Sequence, residues 1–270
     1  AVTGTSSSQA SLSWTDNAST ETGFELQRKA GLDGTLPGQV EDYSGNLSHG
    51  SLMPSQATGP ALQSGGYYQF DGVNDYIASV DDPADATGDI TVALWMQAPT
   101  ASSYQVLASK YKGTEDAGWI ISILANGKIR VDGRTKAGTY YTTPESTSSV
   151  RDSQWHQVSF VRSGATWKVF VDGSLQSSSS RGAGSFGNSV SLEIGKMTGE
   201  TVYYNGALDA SRRYTRAFSA AEILSLFQAG RSAAVDAVST SSQKIFHPMD
   251  AAPTDWSQLA LPAANSTAHN

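Results

Sequence analysis

Apolar and polar residues alternate along most of this chain, and the period of two predicts strands separated by turns. Residues 10–14 alternate first, and residues 24–28 do so again after a turn-rich stretch. Within residues 89–96, Ile90, Val92, Leu94 and Met96 fall on one strand face. Residues 118–124 form a longer apolar strand that ends at Asn126-Gly127, the strongest short hairpin signal. Residues 128–131 make the returning strand, closed by Asp132-Gly133. The same logic carries residues 155–161 through a Ser163-Gly164 turn into residues 166–171, which stop at Asp172-Gly173. Residues 191–195 and 208–214 supply further strands. One helix is predicted: Ser219 and Glu222 have capping-box spacing, Ile223, Leu224, Leu226 and Phe227 follow, and Gly230 sits where a C′ glycine belongs. Residues 231–270 are rich in Ala, Ser and Pro and read as an extended tail, part of which docks.

Composition narrows the class. The 270 residues are 39% hydrophobic and only 16% charged, which suits short strands and many turns. The absence of cysteine excludes disulfides, zinc–thiolate sites and cysteine nucleophiles. A net charge of −7 without a Lys/Arg run gives no electrostatic footprint for nucleic acid. No apolar run reaches the roughly 18 residues that a membrane span needs. The chain starts at Ala1, read as a processed end after signal-peptide removal, so the expected location is secreted, at a cell surface or on a virion.

Residues 11–17 and 21–28 resemble the first strands of a fibronectin type III domain. The rest of such a domain has no counterpart, and a lone hairpin is marginal in water. Segment 1–31 therefore packs on the main body, pairs with another chain, or is a truncated relic.

Six landmarks in order make residues 32–230 resemble a laminin-G-like, concanavalin-type jelly roll of the bacterial and phage kind. They are Asp42-Tyr43-Ser44-Gly45-Asn46 with His49-Gly50, Phe70-Asp71-Gly72 with Asp75-Tyr76-Ile77, and residues 90–96. Trp155-His156-Gln157-Val158, residues 169–173 and the closing run from Gly206 to Ser219 complete the set. The resemblance implies an all-β, two-sheet antiparallel sandwich with one short C-terminal helix, built for binding or assembly. Two places depart from it. The opening strand holds residues 25–30 where an aromatic-rich strand belongs, and Asp209 is followed by Ala210-Ser211 where a second carboxylate is usual.

The resemblance also implies a structural calcium, for which Asp42, Asn46 and Asp209 are the candidate ligands, with simple turn hydrogen bonds as the alternative. Asp71, Asn74 and Asp75, and the loop with Asp81, Asp82, Asp85 and Asp89, are lesser candidates. The alternating acidic run of concanavalin-type glycosidases is missing, as are HExxH and GxSxG motifs, so no catalytic residue is assigned. His156 is read as structural. Aromatic platforms point to carbohydrate recognition, and Tyr140, Tyr141, Tyr203 and Tyr204 are the candidate ligand-binding residues, with at most one of each pair serving the core. The expected function is lectin-like binding of a glycan or surface polymer. The alternative is a subunit of a cell-surface filament or virion, joined to its own copies by strand addition from residues 1–30 and the tail.

Overall fold

The alternating segments pair into two antiparallel sheets stacked face to face. The computed structural model describes residues 2–6, 9–12, 39–40, 42, 49–64, 66–79, 88–111, 117–180, 184–230 and 243–247. Cα packing divides the chain into two units, residues 1–34 and 35–270. The first unit contains a hairpin of β1 (Val2–Ser6) and β2 (Gln9–Leu12), with a bulge between Thr3 and Thr5. The strand expected at residues 24–28 lies outside the described residues.

The second unit opens with β3 (Gln39–Val40), β4 (Gly50–Met53), β5 (Ala61–Leu62), β6 (Tyr68–Asp71) and β7 (Tyr76–Ser79). Then come β8 (Ile90–Gln97), β9 (Gln105–Lys110), β10 (Gly118–Ile123), β11 (Ile129–Arg134) and β12 (Tyr140–Thr142). The chain continues through β13 (Trp155–Ser163), β14 (Thr166–Val171), β15 (Ser174–Ser180), β16 (Leu192–Ile194) and β17 (Asn205–Tyr214). Helix α1 (Ala220–Gln228) and β18 (Gln243–His247) follow. The first sheet runs β12-β11-β10-β9-β16-β7-β4-β3. The second runs β15-β14-β13-β8-β17-β6-β5. This is the antiparallel jelly-roll sandwich that the laminin-G-like resemblance implies.

Between the sheets lies one apolar core, to which alternate residues of each strand contribute. Ile90, Val92, Leu94 and Met96 face Ile121, Ile123, Ile129 and Val131, with Trp167 and Phe160 filling one end. The opposite side of β8 is buried too, because α1 lies across it. Ala93, Val161, Phe170 and Tyr214 pack with Ile223 and Leu226, and Trp95 stacks on Phe227 at 5.6 Å. The helix starts where the sequence set it: the Ser219 side chain accepts from Glu222 N–H, and the Glu222 carboxylate accepts from Ser219 N–H. Gly230 follows the helix at φ 81°.

Asn126-Gly127 makes the β10–β11 turn, with Gly127 at φ 80°, and Asp172-Gly173 makes the β14–β15 turn at φ 50° and 73°. One boundary differs from expectation. Asp132-Gly133 does not end the returning strand, which continues to Arg134. Gly133 sits mid-strand because a Cβ there would run into the Trp167 ring. The tail contributes β18, whose pairing with residues 211–214 of β17 fills the length of that strand beyond the reach of β6.

Candidate functional site

On β11 the run Arg130-Val131-Asp132-Gly133-Arg134 alternates, so the two arginines and the aspartate share one face while Val131 enters the core. That face is the outer side of the first sheet. Cross-strand register extends it into a row: Thr142, Asp132, Ile120, Ser109 and Glu193 stand side by side on β12, β11, β10, β9 and β16. Next to the row, Val106, Tyr111 and Ile120 form a small apolar cluster against Met197 and Val202.

Asp132 is the centre of this surface. Its side chain is only 2% exposed, and Oδ2 accepts from Arg130 Nε at 3.0 Å and Nη2 at 2.9 Å. Oδ1 is buried without a hydrogen-bond partner, and so is Arg134 Nη1. An unsatisfied buried polar group costs about 1–3 kcal/mol, more when charged. Three tyrosines lie near enough to feel its charge. Tyr104 and Tyr140 are 37% and 54% exposed, whereas Tyr111 is buried and meets Tyr140 edge-on at 6.5 Å. Burial and the nearby Asp132 charge push the Tyr140 hydroxyl up to about 12. Burial raises Tyr104 and Tyr111 as well, with Asp132 adding to both. All three therefore present neutral O–H groups at physiological pH.

At the other end of the same face, Lys196 Nζ lies 4.0 Å from the Tyr76 ring centroid and 5.7 Å from that of Tyr203. Glu193 Oε2 is 3.9 Å from the same ammonium.

The sequence-assigned tyrosines separate by strand alternation. Tyr140 points outward, while Tyr141 packs inward on Trp167 and Phe186. Tyr203 faces Tyr76 and Lys196. Tyr204 requires correction: it is fully buried, and its hydroxyl donates to Gln97 O at 2.9 Å, so it is a core residue and not a ligand contact. Tyr104, Tyr111 and Asp132 were not singled out as site residues. The period-two charge pattern of residues 130, 132 and 134 was the signal available for Asp132, whereas the two tyrosines join it only through β9–β10 pairing.

Two of the three calcium candidates, Asp42 and Asp209, belong to different sheets. Asp42 is buried next to β3 of the first sheet, its N–H donating to His49 Nδ1 at 3.1 Å. Asp209 is buried on β17 of the second sheet, and opposite Trp95 it faces away from the first sheet. Asn46 lies outside the described residues. Among the described residues, no group of three or more His, Cys, Asp or Glu side chains gathers to hold a metal. Asp71 and Asp75 act as turn acceptors: Asp71 Oδ1 takes Val73 N–H, and Asp75 Oδ2 takes Asp71 N–H. Asp89 Oδ1 takes Gly164 N–H, while Asp81, Asp82 and Asp85 are outside the described residues. His156 is clamped, Nδ1 2.7 Å from Asp172 Oδ2 and Nε2 3.0 Å from Asp152 Oδ1.

A family model for the concanavalin A-like lectin/glucanases superfamily matches residues 71–224. Among solved structures, the chain is similar to the binding domain of Paraclostridial Mosquitocidal Protein 1, at 16% identity and a TM-score of 0.57, covering 72% of this chain and 50% of that one. It is similar to the receptor binding domain of botulinum neurotoxin C/D mosaic serotype, at 13% identity and 0.55, covering 72% and 51%. It is also similar to the botulinum neurotoxin serotype G binding domain, at 14% identity and 0.50, covering 60% and 42%. The chain thus spans about half the length of these structures or less, and at such identities the likeness is one of fold. No curated protein matches it.

Proposed function

The chain belongs to the concanavalin A-like lectin/glucanases superfamily, and from that premise we propose that it is an extracellular, non-catalytic binding module. Its ligand is a glycan or another surface polymer, held on the outer face of the first sheet. The observation that carries this reading is the partly exposed tyrosine layer around Asp132 and Arg130. Recognition sites combine aromatic area with a few fixed polar groups, and this surface offers both. The similar solved structures named as binding domains give the reading further support.

The same face argues against hydrolysis. Asp132 and Glu193 share its central row but are three strand spacings apart, about 14 Å. Paired carboxyl groups in glycosidases lie roughly 5–9.5 Å apart. The test is a glycan array probed with the labelled full chain, followed by incubation of each bound glycan with excess protein. Saturable capture of intact glycan is the expected result. Release of shortened products, or capture that persists unchanged in a Tyr104→Ala/Tyr140→Ala double variant, refutes the proposal.

A further inference from the structure

Independently of the saccharide reading, we propose that residues 211–214 of β17 form an acceptor edge for one extended strand. β18 fills this edge as a detachable strap, and the partner that can take its place is the same segment, residues 243–247, of a second copy of the chain.

The edge needs a strand. β17 runs for ten residues, and β8 pairs with it on one side as far as Tyr214. On the other side β6 reaches only residues 205–208. β18 supplies the ladder that β6 leaves off, with His247 opposite Ser211, Phe246 opposite Arg212 and Ile245 opposite Arg213. With β18 in place, residues 211–214 are each at most 6% exposed. Its removal uncovers a short row of backbone donors and acceptors beside a finished sheet, which is the arrangement that recruits another strand.

The attachment is light. Among the described residues β18 pairs with β17 alone. The strand order from β15 to β5 is complete without it, so β18 can leave without breaking another ladder. One short ladder, with a register shift between Arg213 and Tyr214, opens at lower cost than the core strands.

The partner follows from identity. Main-chain pairing gives strand addition its affinity, and alternate side chains set the fit. The strand of a second copy has the same sequence, so the register seen within one chain serves unchanged between two. The strands of the first unit are less suited, because β1 and β2 already pair with each other. Residues 231–242 tether β18 to the end of α1. A short tether sets an effective concentration of about 1 mM, so each chain closes on itself when dilute. Exchange between copies then needs refolding at high concentration or a damaged strap.

The experiment uses the full chain carrying Ile245→Pro and Phe246→Pro. Neighbouring residues of an antiparallel strand aim their N–H groups to opposite sides, so one of the two prolines removes a donor to β17. The probe is a fluorescent peptide of residues 241–249, followed by anisotropy. Saturable binding to the double variant is expected, with binding to wild type at least tenfold weaker because its own strap competes. A peptide carrying the same two prolines is expected to bind neither. Wild type refolded from urea at rising protein concentration should give a growing dimer fraction by light scattering, and the double variant should give none. No peptide binding by the folded variant overturns the acceptor edge. Dimers that persist in the variant, or a wild type that stays monomeric at every refolding concentration, overturn the second copy as partner. Should the variant not fold, hydrogen exchange of wild type decides. Amides of residues 243–247 are expected to exchange at least tenfold faster than those of β8, and equal protection overturns the strap.

Discussion

The His156 clamp makes stability depend on pH with a definite sign. Its ring joins Asp172 at the β14–β15 turn to Asp152 in the loop before β13. The hydrogen bond to Asp172 raises the imidazole above its usual range, burial opposes the rise, and Asp152 adds to it. A group whose folded-state pKa is raised stabilises fully below its unfolded value, about 6.5 for histidine. The contribution disappears as pH climbs through the higher folded-state value. Asp172→Asn isolates the charge: the site has φ 50°, a conformation asparagine tolerates, and the amide oxygen can still accept from Gln157 N–H.

A hydrogen bond to a charged partner contributes about 1.5–3 kcal/mol. Asp172 is one-third exposed, so screening reduces the expected difference to about 1–2 kcal/mol. The Asp152 link is more than half exposed and adds little. Urea unfolding of wild type and Asp172→Asn should therefore differ by about 1–2 kcal/mol at pH 5.5. The gap should narrow steadily towards pH 9. A gap that stays constant, or widens as pH rises, refutes an imidazolium held between two carboxylates.

Three further outcomes follow from the packing. Gly195→Ala places a Cβ 2.6 Å from Phe70 Cε1 at φ 84°, and denaturant melts should show a loss of about 2–5 kcal/mol. Tyr204→Phe removes the hydroxyl that Gln97 O accepts from, and should lower stability by about 1 kcal/mol while leaving saccharide titrations unchanged. Glu222 is held down to about 2, first by Arg216 at 2.7 Å, with burial opposing and Ser219 assisting. Its contribution is present above the usual glutamate value, about 4.3, and is lost as pH falls towards 2. Glu222→Gln should therefore flatten the acid limb of the stability curve below pH 4.5.

The sandwich was legible because its signals are local. Ile90, Val92, Leu94 and Met96 point inward as alternation required, and Asn126-Gly127 turns where its dihedral freedom allows. Ser219 caps the helix because the side chain and the N–H groups it serves lie within one turn. Strand order was not legible. β16 sits between β9 and β7, and no local pattern states that. β15 carries a run of serines from Ser177 to Ser180 with no alternation, and is a strand because β14 offers it an edge. The site suffered for the same reason. Asp132-Gly133 carries a turn signature, yet the Trp167 ring claims the space beside Gly133, so the strand runs on and Asp132 becomes a face residue. The tyrosine doublets were half legible: alternation says that one ring of each pair turns inward, but only the pairing partners say which one.

The two outer faces explain why the helix lies on the second sheet. On the second sheet the outward residues Ala93, Val161, Phe170 and Tyr214 form an apolar cluster, which water would penalise at about 25 cal/mol per Å². The capping box starts α1 immediately after β17, so the chain itself supplies Ile223 and Leu226 to cover that surface. On the first sheet the outward row is Thr142, Asp132, Ile120, Ser109 and Glu193, four polar residues to one apolar. A second apolar helix laid there would offer no donor to Asp132 Oδ1 or Glu193 Oε2, which are already buried without one. Met197 and Val202 cover the Val106–Ile120 strip, Ser109 Oγ donates to Lys196 O, and Tyr104 and Tyr140 remain partly exposed. The outward-facing half of the strand pattern thus selects the sheet that carries the helix.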